Sequence, residues 1–370
     1  SVNGRRGPET KGLSTGPATT NIINAAVARY RSRYAVLTNP HAKRAIDILV
    51  SNVIGTGHRF ISLAPDPVFK KKVEDLWHDW THVADATGQL DFSGLEALSF
   101  RSMAEGGDCF IRMRPRRISD GLPVPLQLQL YEAEQVPVVK NEDLGGNRII
   151  IGGIEFDGIG RPAAYHMLPY HPGEFMTLAA LTTLDTIPVP ARDVMHVHEI
   201  RRPNDVRGLP VLAQALIKLS DLDRYLDAEM LRKKAAALIG GFIRAPLDSS
   251  TANPFVTKKA SELTEVDIEA MEPGTFPVLP PGYDVTVSQP ADVGSNFVSF
   301  LKYHLMTIAT SLNETYEQLS GDLSGVNDRS LRASLLEFKR ICRAYQNHVM
   351  DFQFCRRTFD RWFDMAVLSG

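Results

Sequence analysis

Apolar positions along this chain recur with two periods, and the longest run at the helical period lies between Arg201 and Ile243. It opens on RRPNDVRGLP (Arg201–Pro210) and then places apolar side chains at Leu212, Leu216, Leu219, Leu222, Leu226, Met230 and Leu238. Steps of three and four, with one longer gap, put these on one helix face. Lys218, Asp221, Asp223, Arg224, Asp227, Glu229, Arg232 and Lys233 take the other positions. Pro210 suits a first turn, where its missing N–H would have no intrahelical partner. Gly240 and Gly241 supply a stop. A helix from Leu209 to Ile239 would be about 45 Å long at about 1.5 Å per residue, longer than an ordinary globular helix.

The same reading covers the rest of the chain. Residues 1–20, rich in Gly, Ser, Thr and Pro, read as an arm without its own core. Helices follow at Asn21–Leu37 and from Pro40, the second burying Ala42, Ala45, Ile46, Leu49 and Val50 and closing at Gly55–Thr56–Gly57. Those glycines lack the third member and the strand-then-helix order of a phosphate fingerprint, so they read as a helix stop before a strand, His58–Leu63. Further helices are expected at Pro67–Val83 and, capped by Asp91, at Gly94–Glu105. GGDCFIRMRPRR (Gly106–Arg117) reads as a turn and strand, with Cys109 a small buried hydrophobe. From Pro123 to His198 the period is two. Leu126, Leu128 and Leu130 alternate with Gln127 and Gln129, and Ile149–Phe156, Ala163–Leu168 and Val194–Val197 read as strands, with a hairpin turn over Asp157–Pro162. A small Pro-, Ser- and Thr-rich module spans Arg244–Gly294, with short strands at Phe276–Leu279 and Tyr283–Ser288. It is followed by a helix Asn296–Leu312, a loop Asn313–Ser330 and a last helix Leu331–Leu368. That last helix carries Leu335, Phe338, Cys342, Tyr345, Val349, Phe352, Phe359 and Trp362 on one seam. The fold class is α+β.

Charge and chemistry narrow the function. The 370 residues carry a formal net charge of −2, without the basic excess of a static DNA clamp. The three scattered cysteines point to a reducing compartment without a disulfide framework. No apolar run approaches the ~20 residues of a membrane span, so no membrane partner is expected. His78 and His82 share a helix face, but Asp79 stands where a zinc protease has Glu, and no third ligand is evident. His196 and His198 point the same way on one strand and read as structural. There is no GxSxG and no Walker A motif. No catalytic residue, metal or cofactor is expected. The competing class is a metal-dependent hydrolase built on His78, His82, His196 or His198.

Several stretches together resemble bacteriophage portal proteins of the lambda family. They are TNPHAKRAIDILVSNVIGTG (Thr38–Gly57), EGGDCFIR (Glu105–Arg112), GGIEFDGIGRPAAYHM (Gly152–Met167), RRPNDVRGLPVLAQAL (Arg201–Leu216), DLDRYLDAEMLRKKAAALIGGFI (Asp221–Ile243) and LSGDLSGVNDRSLRASLLEFKR (Leu319–Arg340). Three places depart from the pattern. Asn204–Asp205 stand for Gly–Gln, Asn313–Glu314–Thr315 for Gly–Val–Pro, and Asp328–Arg329 for Tyr–Ser. The family's chain usually runs on beyond the point matching Gly370.

The resemblance implies a ring, usually dodecameric, at one capsid vertex of the virion, assembled in the host cytoplasm. Double-stranded DNA passes through its channel, and the large terminase, head-completion adaptor proteins and the major capsid protein are its partners. It implies a wing over residues 21–210, a first stem helix over 211–243, a clip over 244–294 and a second stem helix over 295–312. A tunnel loop over 313–330 and a wing and crown helix over 331–370 would complete it. The expected site residues follow from that anatomy. Glu314, Glu317, Asp322, Asp328 and Arg329 belong to the DNA channel. Glu262, Glu265, Asp267 and Glu269 belong to terminase docking. Leu216, Leu219, Leu226 and Met230 belong to subunit packing.

Overall fold

The structure, a computed structural model, describes residues 16–173, 185–238, 242–244, 284–286, 296–324 and 327–369. The chain divides into two compact units, one of Ser1–Ser220 with Tyr303–Gly370 and one of Asp221–Lys302.

In the first unit, helices α1 (Pro17–Thr38), α2 (Pro40–Val53), α3 (Pro67–Thr81) and α4 (Phe92–Gly106) precede the sheets. Each of the last three starts on a side chain that satisfies an orphan amide. Asn39 accepts from the N–H groups of His41 and Ala42, Asp66 from Val68 and Phe69, and Asp91 from Gly94. Strands β1 (Asp108–Pro115), β2 (Leu126–Glu132) and β8 (Val194–His198) form one antiparallel sheet with β1 in the centre. Five strands, β3 (Glu142–Gly145), β4 (Arg148–Ile151), β5 (Ile154–Phe156), β6 (Pro162–Met167) and β7 (Ile187–Pro190), make a second, meandering sheet. Phe110 of β1 faces Tyr131 on one side and His196 on the other.

An aromatic core seats α3 against the C-terminal helix. Trp77 lies 5.0 Å from Trp362 and 5.3 Å from Phe92, and the buried Trp80 indole N–H donates to the Leu126 carbonyl at 2.8 Å. The C-terminal helix is α8 (Asp328–Ala344), a π-helical stretch Tyr345–Cys355, and α9 (Arg356–Ser369). The segment between α6 (Asn296–Ser311) and α8 holds one short helix, α7 (Tyr316–Ser320).

The second unit contains most of α5 (Leu216–Leu238), the strand pair β9 (Phe242–Arg244) and β10 (Asp284–Thr286), and the start of α6. The Tyr225 and Phe300 rings meet at a tilt, centroids 4.5 Å apart, and the Lys233 ammonium sits 5.3 Å from the Phe297 ring.

The structure corrects several expected elements. The long helix starts at Leu216, not Leu209. Pro210 is extended, and a tighter turn over Val211–Gln214 precedes the helix, with Ala213 and Ala215 bonded to carbonyls three residues back. Ile149–Phe156 is two strands, because Gly152 (φ 59°) and Gly153 (φ 80°) turn the chain between β4 and β5. His58–Leu63 joins no ladder among the described residues; side-chain carboxylates hold it instead. The expected seam of the last helix places Phe352 inside, but it is 60% exposed, whereas Phe354 and Met350 are fully buried. Bonding from i to i+5 turns the chain less per residue, so the buried face falls behind the 3.6-residue phase. The strand expected at Phe276–Leu279 and the first 15 residues of the arm lie outside the described residues.

One buried polar joint ties the first unit together. The Asp108 carboxylate, at the head of β1 and fully buried, accepts from Arg207 Nε at 2.8 Å, the Gly208 amide at 2.6 Å and Arg29 Nη2 at 3.3 Å. His196 Nε2 lies 2.9 Å away. Arg207 is also fully buried and spends its other N–H groups on the carbonyls of Val136, Gly152 and Ala133 at 2.8–2.9 Å. The ring of Phe110 lies 5.1 Å from its guanidinium carbon. Burial by itself would raise the Asp108 carboxyl, but Arg207, His196 and Arg29 outweigh it and hold the group well below the usual carboxylate range. The backbones of Gly107 and Gly208 close the joint. A Cβ on Gly107 would stand 2.6 Å from the Gly208 carbonyl oxygen, so only glycine fits.

Arg207→Met takes one cationic partner from a buried carboxylate and a donor from each of three carbonyls. Urea unfolding is expected to show a loss of about 3–5 kcal/mol. A loss under about 1 kcal/mol would mean that the joint does not hold the sheets.

Candidate functional site

The channel segment expected over 313–330 is built more firmly than an open loop. Thr315 and Gln318 cap α7 reciprocally: the Gln318 amide donates to Thr315 Oγ1 at 3.2 Å and the Thr315 amide to Gln318 Oε1 at 3.1 Å. Leu319 is fully buried, Arg44 Nε donates to the Gln318 carbonyl at 2.7 Å, and Gly321 ends the helix with φ 75°. Asp322 accepts from the Ser324 amide and hydroxyl and from the Tyr316 hydroxyl. Asn327 caps α8, where Asp328 pairs with Arg332 at 3.1 Å. Glu317 and Asp322 are half-buried; Asp328 and Arg329 are exposed.

Glu314 departs from the expectation. It is only 7% exposed, and neither carboxyl oxygen has a hydrogen-bond partner among the described residues. Burial pushes its pKa up to about 8, against a weaker opposing pull from Arg44. Asn313 takes φ 58°, a left-handed conformation that Asn tolerates better than most residues, and Asn204 does the same at φ 65°. Both are positions where the resemblance leads one to expect Gly, and Glu314 stands where it leads one to expect Val.

The stem residues divide by exposure. Leu219 and Leu222 are buried within the chain itself at 2% and 1%, so Leu219 is not free to face a neighbour. Leu216 and Leu226 are half-buried. Met230 at 58% and Leu231 at 68% are exposed on α5, as are Val298 and Tyr303 on α6. Glu262, Glu265, Asp267 and Glu269 lie outside the described residues.

The histidines divide in the same way. His78 and His82 are exposed, 4.9 Å apart edge to face, with no third donor grouped with them among the described residues. His196 and His198 do share a face, their rings stacked at 3.9 Å. His196 is bound to Asp108, and burial, with His198 and Arg207 adding to it, drives its pKa down to about 3. It is a neutral structural group. Sequence reasoning missed its partner, because Asp108 lies 88 residues away. It also missed the grouping of His58, Glu96 and Cys355, which no local spacing signals.

Glu314 makes stability pH-dependent. Below about pH 4.5 the carboxyl is protonated whether the chain is folded or not, and carries no penalty. Between there and about pH 8 the unfolded chain sheds the proton while the folded chain keeps it, so stability falls as pH rises. Glu314→Val should therefore melt higher than the parent, with a gap that widens from pH 5 to pH 8 by roughly 2–4 kcal/mol. A gap independent of pH would mean that the carboxyl is solvated or paired.

The model of the family described as "Phage portal protein, lambda family" matches residues 4–346. A "Probable portal protein" of Halomonas phage phiHAP-1 is 25% identical over 356 residues, 92% of this chain; the chain spans 66% of that relative's length. Among solved structures, a chain from the neck of a native gene transfer agent particle, computed with C12 symmetry, superposes with a TM-score of 0.51 at 13% identity, covering 89% of this chain and 85% of that one. A chain from the native gene transfer agent virion gives 0.50 at 13% identity, covering 97% and 84%. These likenesses establish a shared fold. With a family model matched along nearly its whole length, the chain belongs to the lambda family of phage portal proteins.

Proposed function

We propose that this chain is one subunit of a closed portal ring, with twelve copies in the likeness of the C12 neck, at a single vertex of a phage-like particle. Double-stranded DNA enters and leaves through the ring's channel. The observation that carries the reading is the family match over residues 4–346. The division of the chain into two units supports it: a small unit, Asp221–Lys302, made of most of α5, a strand pair and the start of α6, is the form a stem carrying a clip would take. The first unit is then wing and crown base. The ring is a scaffold and channel and performs no catalysis of its own. The hydrolase reading gains nothing from the histidines, since His78 and His82 have no third donor grouped with them among the described residues and His196 is committed to Asp108.

In the assembled ring the exposed apolar side chains Met230 and Leu231 of α5 pack on the neighbouring stem. A single amphipathic helix cannot bury its own stripe. The clip docks the large terminase and, later, head-completion proteins. Its acids Glu262, Glu265, Asp267 and Glu269 steer that encounter over a screening length of about 8 Å at physiological salt. Neutralising Glu262, Glu265 and Glu269 should slow terminase association at low salt; an unchanged rate would remove the clip acids from docking.

DNA must slide through the channel without sticking, and the near-neutral chain suits this. Each phosphate that a basic group neutralises adds counterion-release affinity. Repeated around the ring, Glu317, Asp322 and Asp328 form a negative collar. Changing these three to Lys should leave rings intact and slow packaging, with the defect easing as salt rises. Full-rate packaging at low salt would show that these acids do not face DNA.

A further inference from the structure

The stretch between α2 and α3 has no strand partner among the described residues, yet it is held in place. Glu74 takes the Ser62 amide at 3.0 Å, and Glu96 takes the His58 amide at 2.9 Å. The other oxygen of Glu96 gathers two more groups: His58 Nδ1 at 2.9 Å and Cys355 Sγ at 3.0 Å. The imidazole, carboxylate and sulfur donor atoms all lie within 4.8 Å of one another. They come from three separate parts of the chain.

The charge balance around Glu96 is the unusual feature. Its side chain is fully buried, and its hydrogen-bond partners are an amide, an imidazole and a thiol, with no guanidinium or ammonium among them. A buried carboxylate calls for a compensating cation, and among these partners only the half-buried His58 imidazole, 2.9 Å away, can carry one. Beside the cluster lies a cavity of about 310 Å³, walled by Phe60, Trp77, Phe92 and Phe359 and also lined by Asp351. The cavity gives a small ion a way in.

We propose that His58, Glu96 and Cys355 form a structural zinc site, with water in the fourth position. One nitrogen, one oxygen and one sulfur suit a borderline-soft, tetrahedral ion. A thiolate and a carboxylate balance the two positive charges, so the buried complex is neutral. Binding displaces the Cys355 thiol proton and, where His58 is an imidazolium, its Nδ1 proton; Nε2 keeps the other. No oxidant or reductant is needed. With zinc bonds of about 2.0–2.3 Å, donors at tetrahedral corners stand roughly 3.3–3.7 Å apart. The side chains need to spread by only a few tenths of an ångström. The ion would staple the unpaired stretch after α2 to α4 and to the C-terminal helix.

The test uses the purified chain, stripped with a chelator and titrated with zinc chloride, then with cobalt(II) as a coloured substitute. About one ion per subunit is expected, with a thiolate-to-cobalt band in the near ultraviolet and a higher melting temperature when zinc is present. Cys355→Ser should abolish the band. Both it and His58→Gln should weaken zinc binding by roughly 100-fold or more, beyond the 10–100-fold typical of losing an outer-shell partner. Cys342→Ser, which removes a buried cysteine outside the cluster, should change neither. Three results would each overturn the site: no zinc bound by the parent, a melting temperature unmoved by zinc, or undiminished binding in Cys355→Ser and His58→Gln.

Discussion

The first unit depends on one carboxylate that cannot be left alone. Asp108 sits at the head of the central strand with no solvent, and the groups that bond it come from three different parts of the fold. Arg29 reaches it from α1, His196 from β8, and Arg207 with the Gly208 amide from the turn before the stem helix. Arg207 then spends its remaining donors on carbonyls after β2 and in the turn between β4 and β5. Two sheets, one helix and the root of α5 thereby share a single electrostatic solution. Exchanging such a centre for apolar groups need not cost stability, but removing one partner does. The joint therefore specifies geometry, fixing how the chain enters α5.

That constraint gives physical content to two stretches that carry the family resemblance. GGDCFIR supplies the close-approach glycine Gly107 and the carboxylate Asp108; RRPNDVRGLP supplies Arg207 and the matching glycine Gly208. Read locally, the first was a turn and a strand and the second the opening of a long helix. The alternation of Leu126, Leu128 and Leu130, the cap at Asp91, and the turn at Asp157–Pro162 were legible, because each depends on neighbours within a few residues. The split of Ile149–Phe156 was legible in principle, since paired glycines inside an apolar run favour a turn. The phase slip at Tyr345–Cys355 was not, because nothing in the side-chain pattern announces the change from i+4 to i+5 bonding.

The candidate site was less legible than the fold. An acid in a loop reads as solvated, and Glu317, Asp322 and Asp328 fit that reading at least in part. Glu314 does not. The signal was present in the departure from Gly–Val–Pro, since an acid standing for Val warns of a buried position. The stem face shows the same limit. Periodicity found the apolar stripe but could not separate Leu219, buried inside the chain, from Met230, which faces outward. Groups joined across the chain, such as His58, Glu96 and Cys355, become visible only when the fold brings them together.

Electron microscopy of the purified chain tests the central claim most directly, with Met230→Asp/Leu231→Asp imaged alongside. The account predicts closed rings with a central hole wide enough for a duplex, and their loss in the double variant with the subunit still folded. Single, unassembled particles across a range of concentrations and salt, or open filaments in place of rings, would contradict it.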